Sequence, residues 1–202
     1  MIDINCDMGE INTLLDNGTY EALMDHVTSI NIACGGHAGD EKMIRAMVKT
    51  AKEKKVKIGA HPSYPDRKNF GRYEMTISDE ELSTSILEQI TRVMDIANEQ
   101  NYSISHMKPH GALYNKAAND ESLATLIGEV IISINPSLPV MCLAGSKMVS
   151  ILKDMGLNVL RESFADRTYE ADGSLRKRTL SNALIVDLQV ASLQAYNISK
   201  NN

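Results

Sequence analysis

Six short apolar runs set the terms on which this chain can fold: IDINC at 2–6, TSINIAC at 28–34, VKIGA at 56–60, YSISHM at 102–107, LPVMCLA at 138–144 and LNVLRE at 157–162. Amphipathic helical stretches lie between them. Asp40 opens one with Ile44, Met47, Val48 and Ala51 on a single face, and Ser78 with Glu81 forms a capping box before Leu82, Ile86, Ile90 and Val93. Further helices are expected near 120–134, 146–155 and 183–198, with Gly156 as a C-cap. Such alternation implies an α/β protein built on a mainly parallel sheet, wound into a barrel or doubly wound.

The first run helps choose between the two. Ile2, Ile4 and Cys6 alternate with Asp3, Asn5 and Asp7, so one face is apolar and the other polar. Parallel strands are covered on both faces, so the polar row is expected to line a barrel interior or a cleft. Burying carboxylates without partners is costly, which favours a site there. With 202 residues and no linker, repeat or low-complexity segment, a single domain spanning 1–202 is expected.

The net charge is −5 with both signs interspersed, which argues against nucleic acid or an anionic membrane as partner and favours a small polar substrate. Cys6, Cys34 and Cys142 cannot all pair internally and form no CxxC, so a reducing cytoplasm is expected. Neither a signal-peptide pattern nor a membrane-length apolar run is present.

Polar residues gather just beyond the strand ends, where barrels and open α/β sheets place their ligands. They are Asp7 and Glu10 in CDMGE, His37 and Asp40 in CGGHAGD, His61 in GAHPSYPD, Lys108 and His110 in MKPHGALYN, and Glu162, Asp166 and Arg167 in ESFADR. A lone histidine at a strand end is usually a packing residue; three at three strand ends point to a site. Pro109 forbids a helix through HMKPH, so His106 and His110 are no helical metal pair. In an extended chain His106, Lys108 and His110 face one way, supplying a general acid or base beside a cation, with His106 itself read as a satisfied interior residue. Carboxylate and imidazole are competent ligands for zinc or manganese, so a divalent metal is a candidate cofactor, with Asp7, His37 and His61 as candidate ligands. No GxGxxG follows a strand and no P-loop is present. Cys34 is read as a small buried residue, and YPDRKNFGRYE at 64–74 as a mobile active-site loop or partner surface.

Taken together, NCDMGE, NIACGGHAGD, IGAHPSYPD with FGR, MKPHGALYN and ESFADRTYEADGSLRKR resemble the LamB/YcsF family, in family order from residue 5 to residue 178. The resemblance implies an irregular β/α barrel similar to polysaccharide deacetylases. It implies a hydrolase acting on a cyclic amide, one subunit of an ATP-dependent 5-oxoprolinase that converts 5-oxo-L-proline to L-glutamate with two further subunits. ATP is then expected to be handled largely by those partners, and a homo-oligomer remains open. On the matching positions, Asp7, Glu10, His37, Lys108 and His110 become candidate catalytic residues, and Asp40, His61, Glu162, Asp166 and Arg167 candidate substrate-binding residues. The segment INTLLDNGT after CDMGE departs from the family pattern. The family's closing strand, which ends in His-Gly-Asp, has no counterpart before Asn202, so a barrel open on that side is expected. The competing functions are a stand-alone metal-dependent deacetylase or amidohydrolase, and a non-catalytic binding or regulatory remnant.

Overall fold

The computed structural model describes residues 2–200 and contains six strands: β1 (Asn5–Met8), β2 (Ser29–Ala33), β3 (Lys57–His61), β4 (Ile104–Met107), β5 (Val140–Leu143) and β6 (Val159–Glu162). They form one sheet in the order β1-β2-β3-β4-β5-β6, every neighbouring pair parallel. A doubly wound sheet reverses its strand order at a switch point, whereas a barrel wall runs in sequence. The wall is strongly curled. Lys108, just past β4, places Nζ 3.2 Å from Asp7 Oδ1 on β1, although three strand spacings in a flat sheet amount to about 14 Å. Between β1 and β6 the described residues form no pair, so the wall is open there.

Eight helices accompany the described strands: α1 (Asn12–Asp16), α2 (Thr19–Met24), α3 (Glu41–Lys54), α4 (Asp79–Glu99), α5 (Gly111–Ala117), α6 (Glu121–Ile134), α7 (Lys147–Asp154) and α8 (Leu188–Lys200). The core lies between the outer face of the sheet and this helical layer. Ile30, Ile32 and Ile58 from the strands meet Ile44, Met47 and Val48 of α3 and Ile86, Ile90 and Val93 of α4, all buried. Each such side chain contributes roughly 1.5–3 kcal/mol on burial. Asp40 caps α3 by accepting from Met43 N at 2.8 Å, and the Ser78–Glu81 capping box opens α4 as its spacing predicts. Gly156, at φ +83°, follows α7 and donates its N–H to Lys153 O.

Three departures have local causes. The first strand begins at Asn5; Ile2 and Ile4 are 55% and 57% exposed, although the Ile4 carbonyl already accepts from Thr28 N and Ser29 N at the start of β2. Two short helices, α1 and α2, occupy the stretch after CDMGE, and α5 follows MKPH; each is too brief for its periodicity to stand out. The last helix starts at Leu188 instead of 183, after an irregular segment that carries two isolated antiparallel bridges. No described helix is long and apolar enough to cross a membrane.

Candidate active site

The inward faces of the strands carry Asn5 and Asp7 from β1, Ser29 and Asn31 from β2, Gly59 and His61 from β3 and His106 from β4. At the carboxyl ends this row becomes a cluster. Asp7 and Glu10 come from the β1 end, His37 from the loop after β2, His61 from the last position of β3, Lys108 and His110 from the turn after β4, and Glu162 from the last position of β6. Asp7 is the most open, with 34% of its side chain exposed, followed by Glu10; the rest are buried.

One half of the cluster is ionic. Lys108 Nζ lies 2.8 Å from Glu162 Oε1 and 3.2 Å from Asp7 Oδ1, and it faces the Phe164 ring at 5.2 Å. Burial alone would discharge the amine, yet the Asp7 and Glu162 carboxylates outweigh it and raise its pKa above the ordinary lysine value. Glu162 is fully engaged, its Oε2 accepting the Tyr114 hydroxyl at 2.9 Å. Burial pushes the Asp7 carboxyl up, but the neighbouring His61 and Lys108, with a hydrogen bond from Asn31, hold it well below the usual range. Asp7 is therefore a permanent anion beside a permanent cation.

The other half is imidazole. His61 Nδ1 meets Lys108 O at 2.7 Å and His110 Nε2 meets Phe70 O at 3.0 Å. A carbonyl only accepts, so each of these outer nitrogens carries the hydrogen. The inner nitrogens, His61 Nε2 and His110 Nδ1, then present lone pairs to each other at 2.9 Å, with Glu10 Oε1 3.5 Å from His110 Nδ1 and Asp7 Oδ2 3.3 Å from His61 Nε2. Acceptors converging without a donor need a cation or a shared proton between them. His37 stacks on His110 with centroids 3.6 Å apart and bonds Glu10 Oε1 at 2.9 Å through Nε2, while its buried Nδ1 has no partner among the described residues. Burial pushes both His37 and His110 down to about 2, so both rings are neutral. Burial also raises Glu10.

Glu10, His37, His61 and His110 offer ligand atoms within 4.8 Å of one another, a donor set suited to a divalent metal. Imidazoles whose far N–H groups are held by backbone carbonyls are the arrangement that metal-binding histidines adopt. The group differs from the expected Asp7, His37 and His61: Asp7 Oδ1 is already taken by Lys108 and Asn31, whereas Glu10 and His110 point inward.

Three expected site residues are used elsewhere. Asp40 is the cap of α3. Asp166 is exposed, and its backbone carbonyl accepts from Ile185 N. Arg167 is buried with its guanidinium spent on Arg176 O at 2.7 Å and Ala183 O at 3.3 Å, tying the irregular segment down. Tyr114 and Phe164, which flank Lys108, were not singled out from the sequence, although both lie inside the motifs that supply Lys108 and Glu162. The loop at 64–74 touches the site: Phe70, at φ +57°, gives its carbonyl to His110 and its ring edge to His37 at 5.2 Å. Cys34 is no nucleophile, since burial pushes its thiol up to about 12.

A model of the LamB/YcsF family matches residues 2–202. A protein of Chloroflexus aggregans, named as a 5-oxoprolinase subunit, is 45% identical over 186 residues, covering 92% of this chain and 74% of its own. The Clostridium beijerinckii protein of the same name is 42% identical over 201 residues, covering 100% of this chain and 79% of its own. The crystal structure of a lactam utilization protein from Thermus thermophilus superposes with a TM-score of 0.90 at 34% identity, over 98% of this chain and 80% of that one.

Proposed function

The chain belongs to the LamB/YcsF family, and on that premise we propose that it is one component of an ATP-dependent 5-oxoprolinase, holding 5-oxo-L-proline while its lactam ring is opened to L-glutamate. The observation that carries this reading is the pairing of an ionised Asp7 with a charged Lys108 at the solvent-open end of the barrel. A lactam amide is a poor electrophile. Phosphorylation of its carbonyl oxygen by ATP, with release of ADP, activates it. Water then adds to the ring carbon, the C–N bond breaks as a proton passes to the leaving nitrogen, and a second water releases phosphate from the acyl phosphate to leave glutamate. Asp7 takes a proton from the first water and, being a weak base, can pass it to His61 Nε2, 3.3 Å away, only where no metal occupies that nitrogen. Lys108 is placed to face the negative charge of the phosphorylated carbonyl oxygen, in a buried setting where such a contact is strong. Glu162 holds the ammonium in place, and Tyr114 holds Glu162.

A divalent metal would be held by Glu10, His61 and His110 with His37 beside them. When bound it would supply Lewis-acid polarisation of the substrate carbonyl or a more acidic water. The sequence carries no P-loop, so nucleotide binding is assigned to the two partner subunits.

Reconstitution tests the reading. The isolated chain is expected neither to hydrolyse ATP nor to open 5-oxoproline. With both partner subunits, glutamate and ADP appear together, and omitting this chain stops glutamate formation. The imidazole and carboxylate group also favours a second reading, a stand-alone metal-dependent amidohydrolase. Acetate released by the isolated chain from N-acetylated substrates without ATP would select it.

A further inference from the structure

Asp7 on β1, Asn31 on β2, Gly59 on β3 and His106 on β4 form one register row across the sheet, each paired with the next. The row is interrupted at Gly59, where a Cβ would stand 2.2 Å from His106 Nε2. Because that space is empty, the His106 ring crosses β3 and reaches Asn31 Oδ1 at 2.7 Å.

The orientation of Asn31 follows from its neighbours. Its other amide atom faces Asp7 Oδ1 at 2.9 Å and Asn5 Oδ1 at 2.7 Å. A carboxylate only accepts, so that atom is the NH₂, and Oδ1 is the atom turned to His106. His106 Nε2 must then carry the hydrogen, leaving Nδ1 as an acceptor 2.9 Å from the Ser105 hydroxyl. The Ser105 hydroxyl also lies 3.0 Å from Ile58 O and divides its one hydrogen between that carbonyl and Nδ1, while from His106 Nε2 through Asn31 to Asp7 donor and acceptor are assigned.

We propose that His106 and Asn31 are positioning residues for Asp7: His106 fixes the Asn31 amide, and Asn31 with Lys108 occupies Oδ1 so that Oδ2 is presented to the reacting water. The assignment goes beyond the proposed function and rests on it, since it presumes that Asp7 takes the proton in ring opening. A histidine that merely filled the barrel interior would need neither a glycine gap nor a defined tautomer.

The test uses the complex reconstituted with both partner subunits and compares His106→Leu, His106→Gln and Asn31→Asp. His106→Leu removes the donor and frees the amide; Asn31→Asp keeps the shape but replaces the donor facing Asp7 by an acceptor. Each is expected to lower kcat roughly 10–100-fold, the scale of a slightly misplaced reacting group, with KM for 5-oxoproline unchanged within about threefold. His106→Gln, whose amide N–H can donate to Asn31 Oδ1, should recover kcat to within about threefold of wild type. Wild-type kcat in His106→Leu or Asn31→Asp, a loss confined to KM, or a His106→Gln as impaired as His106→Leu would overturn the proposal. If His106→Leu does not fold, Asn31→Asp and His106→Gln decide alone. A silent wild-type complex would refute the assigned reaction instead, which separates the two failures.

Discussion

His106 and Lys108 sit two residues apart, yet their surroundings drive them in opposite directions. At His106 burial outweighs the pull of the Asp3 carboxylate, lowers the ring from 6.5 to about 4 and keeps it neutral. Lys108 is buried as deeply but lies between two carboxylates and stays charged. Both effects are measurable. Between the folded and unfolded values of His106, the unfolded chain binds a proton that the folded chain refuses, so stability falls as pH drops from about 6.5 to about 4. The loss is at most roughly 3–4 kcal/mol from this residue, at about 1.4 kcal/mol per pH unit. Urea midpoints near pH 7.5 and 4.5 should therefore fall further in wild type than in His106→Gln; equal falls would show that His106 does not contribute. Lys108→Met leaves Glu162 buried beside Asp7 with no cation, and is expected to cost about 3–5 kcal/mol in denaturant unfolding. A variant of wild-type stability would mean that the ion pair is dispensable. The strand-end motifs made Lys108 legible in the sequence, whereas the partners that set its charge, Asp7 and Glu162, come from segments whose meeting only the curled sheet decides.

At the scale of elements, the helices with full caps and several turns were the legible ones. Ser78 with Glu81, and Asp40 ahead of Ile44, announce α4 and α3 because capping chemistry is local. The short helices α1, α2 and α5 are held by tertiary packing, for example Tyr20 and Leu113 buried in the core, and carry too few turns for a pattern. The same distinction explains why Asp40 looked like a site residue: its type and place fit a ligand and a cap equally, and only the 2.8 Å bond from Met43 N separates them. Asp40→Ala is accordingly expected to cost about 1 kcal/mol of stability while leaving kcat of the assembled enzyme within about twofold. Asp40→Asn, which keeps the cap, should be near wild type in both. A large kcat loss in Asp40→Asn would put the residue back in the active site. The alternation Asp3, Asn5, Asp7 foretold a polar inner face correctly, but the strand starts at Asn5, and the apolar side chains of Ile2 and Ile4 ahead of it stay exposed.

At the scale of the whole molecule, the curl of the sheet assembles the site. It brings Asp7, Lys108 and Glu162, from the first, fourth and sixth strand ends, into one ionic group, and it gathers three histidines from the ends of β2, β3 and β4 around a common centre. Sequence order showed that these residues belong to strand ends; it held no information on which pairs touch, so Asp7 stood with His37 and His61 as a candidate ligand, whereas Glu10 and His110 are the residues that lie with those two histidines. If that centre takes a metal, dialysis against zinc or manganese followed by elemental analysis should give roughly one ion per chain, and His110→Ala should lose it. An ion-free protein after loading would leave a shared proton as the cation between His61 and His110. The role given to the open end of the barrel stands or falls on glutamate formation from 5-oxoproline and ATP by the reconstituted complex carrying Asp7→Asn, a change that keeps size and removes the charge. The expected rate is at least ~100-fold below wild type in a complex that still assembles, the scale of losing a general base. A rate equal to wild type would refute that role and move the chemistry away from the barrel's open end.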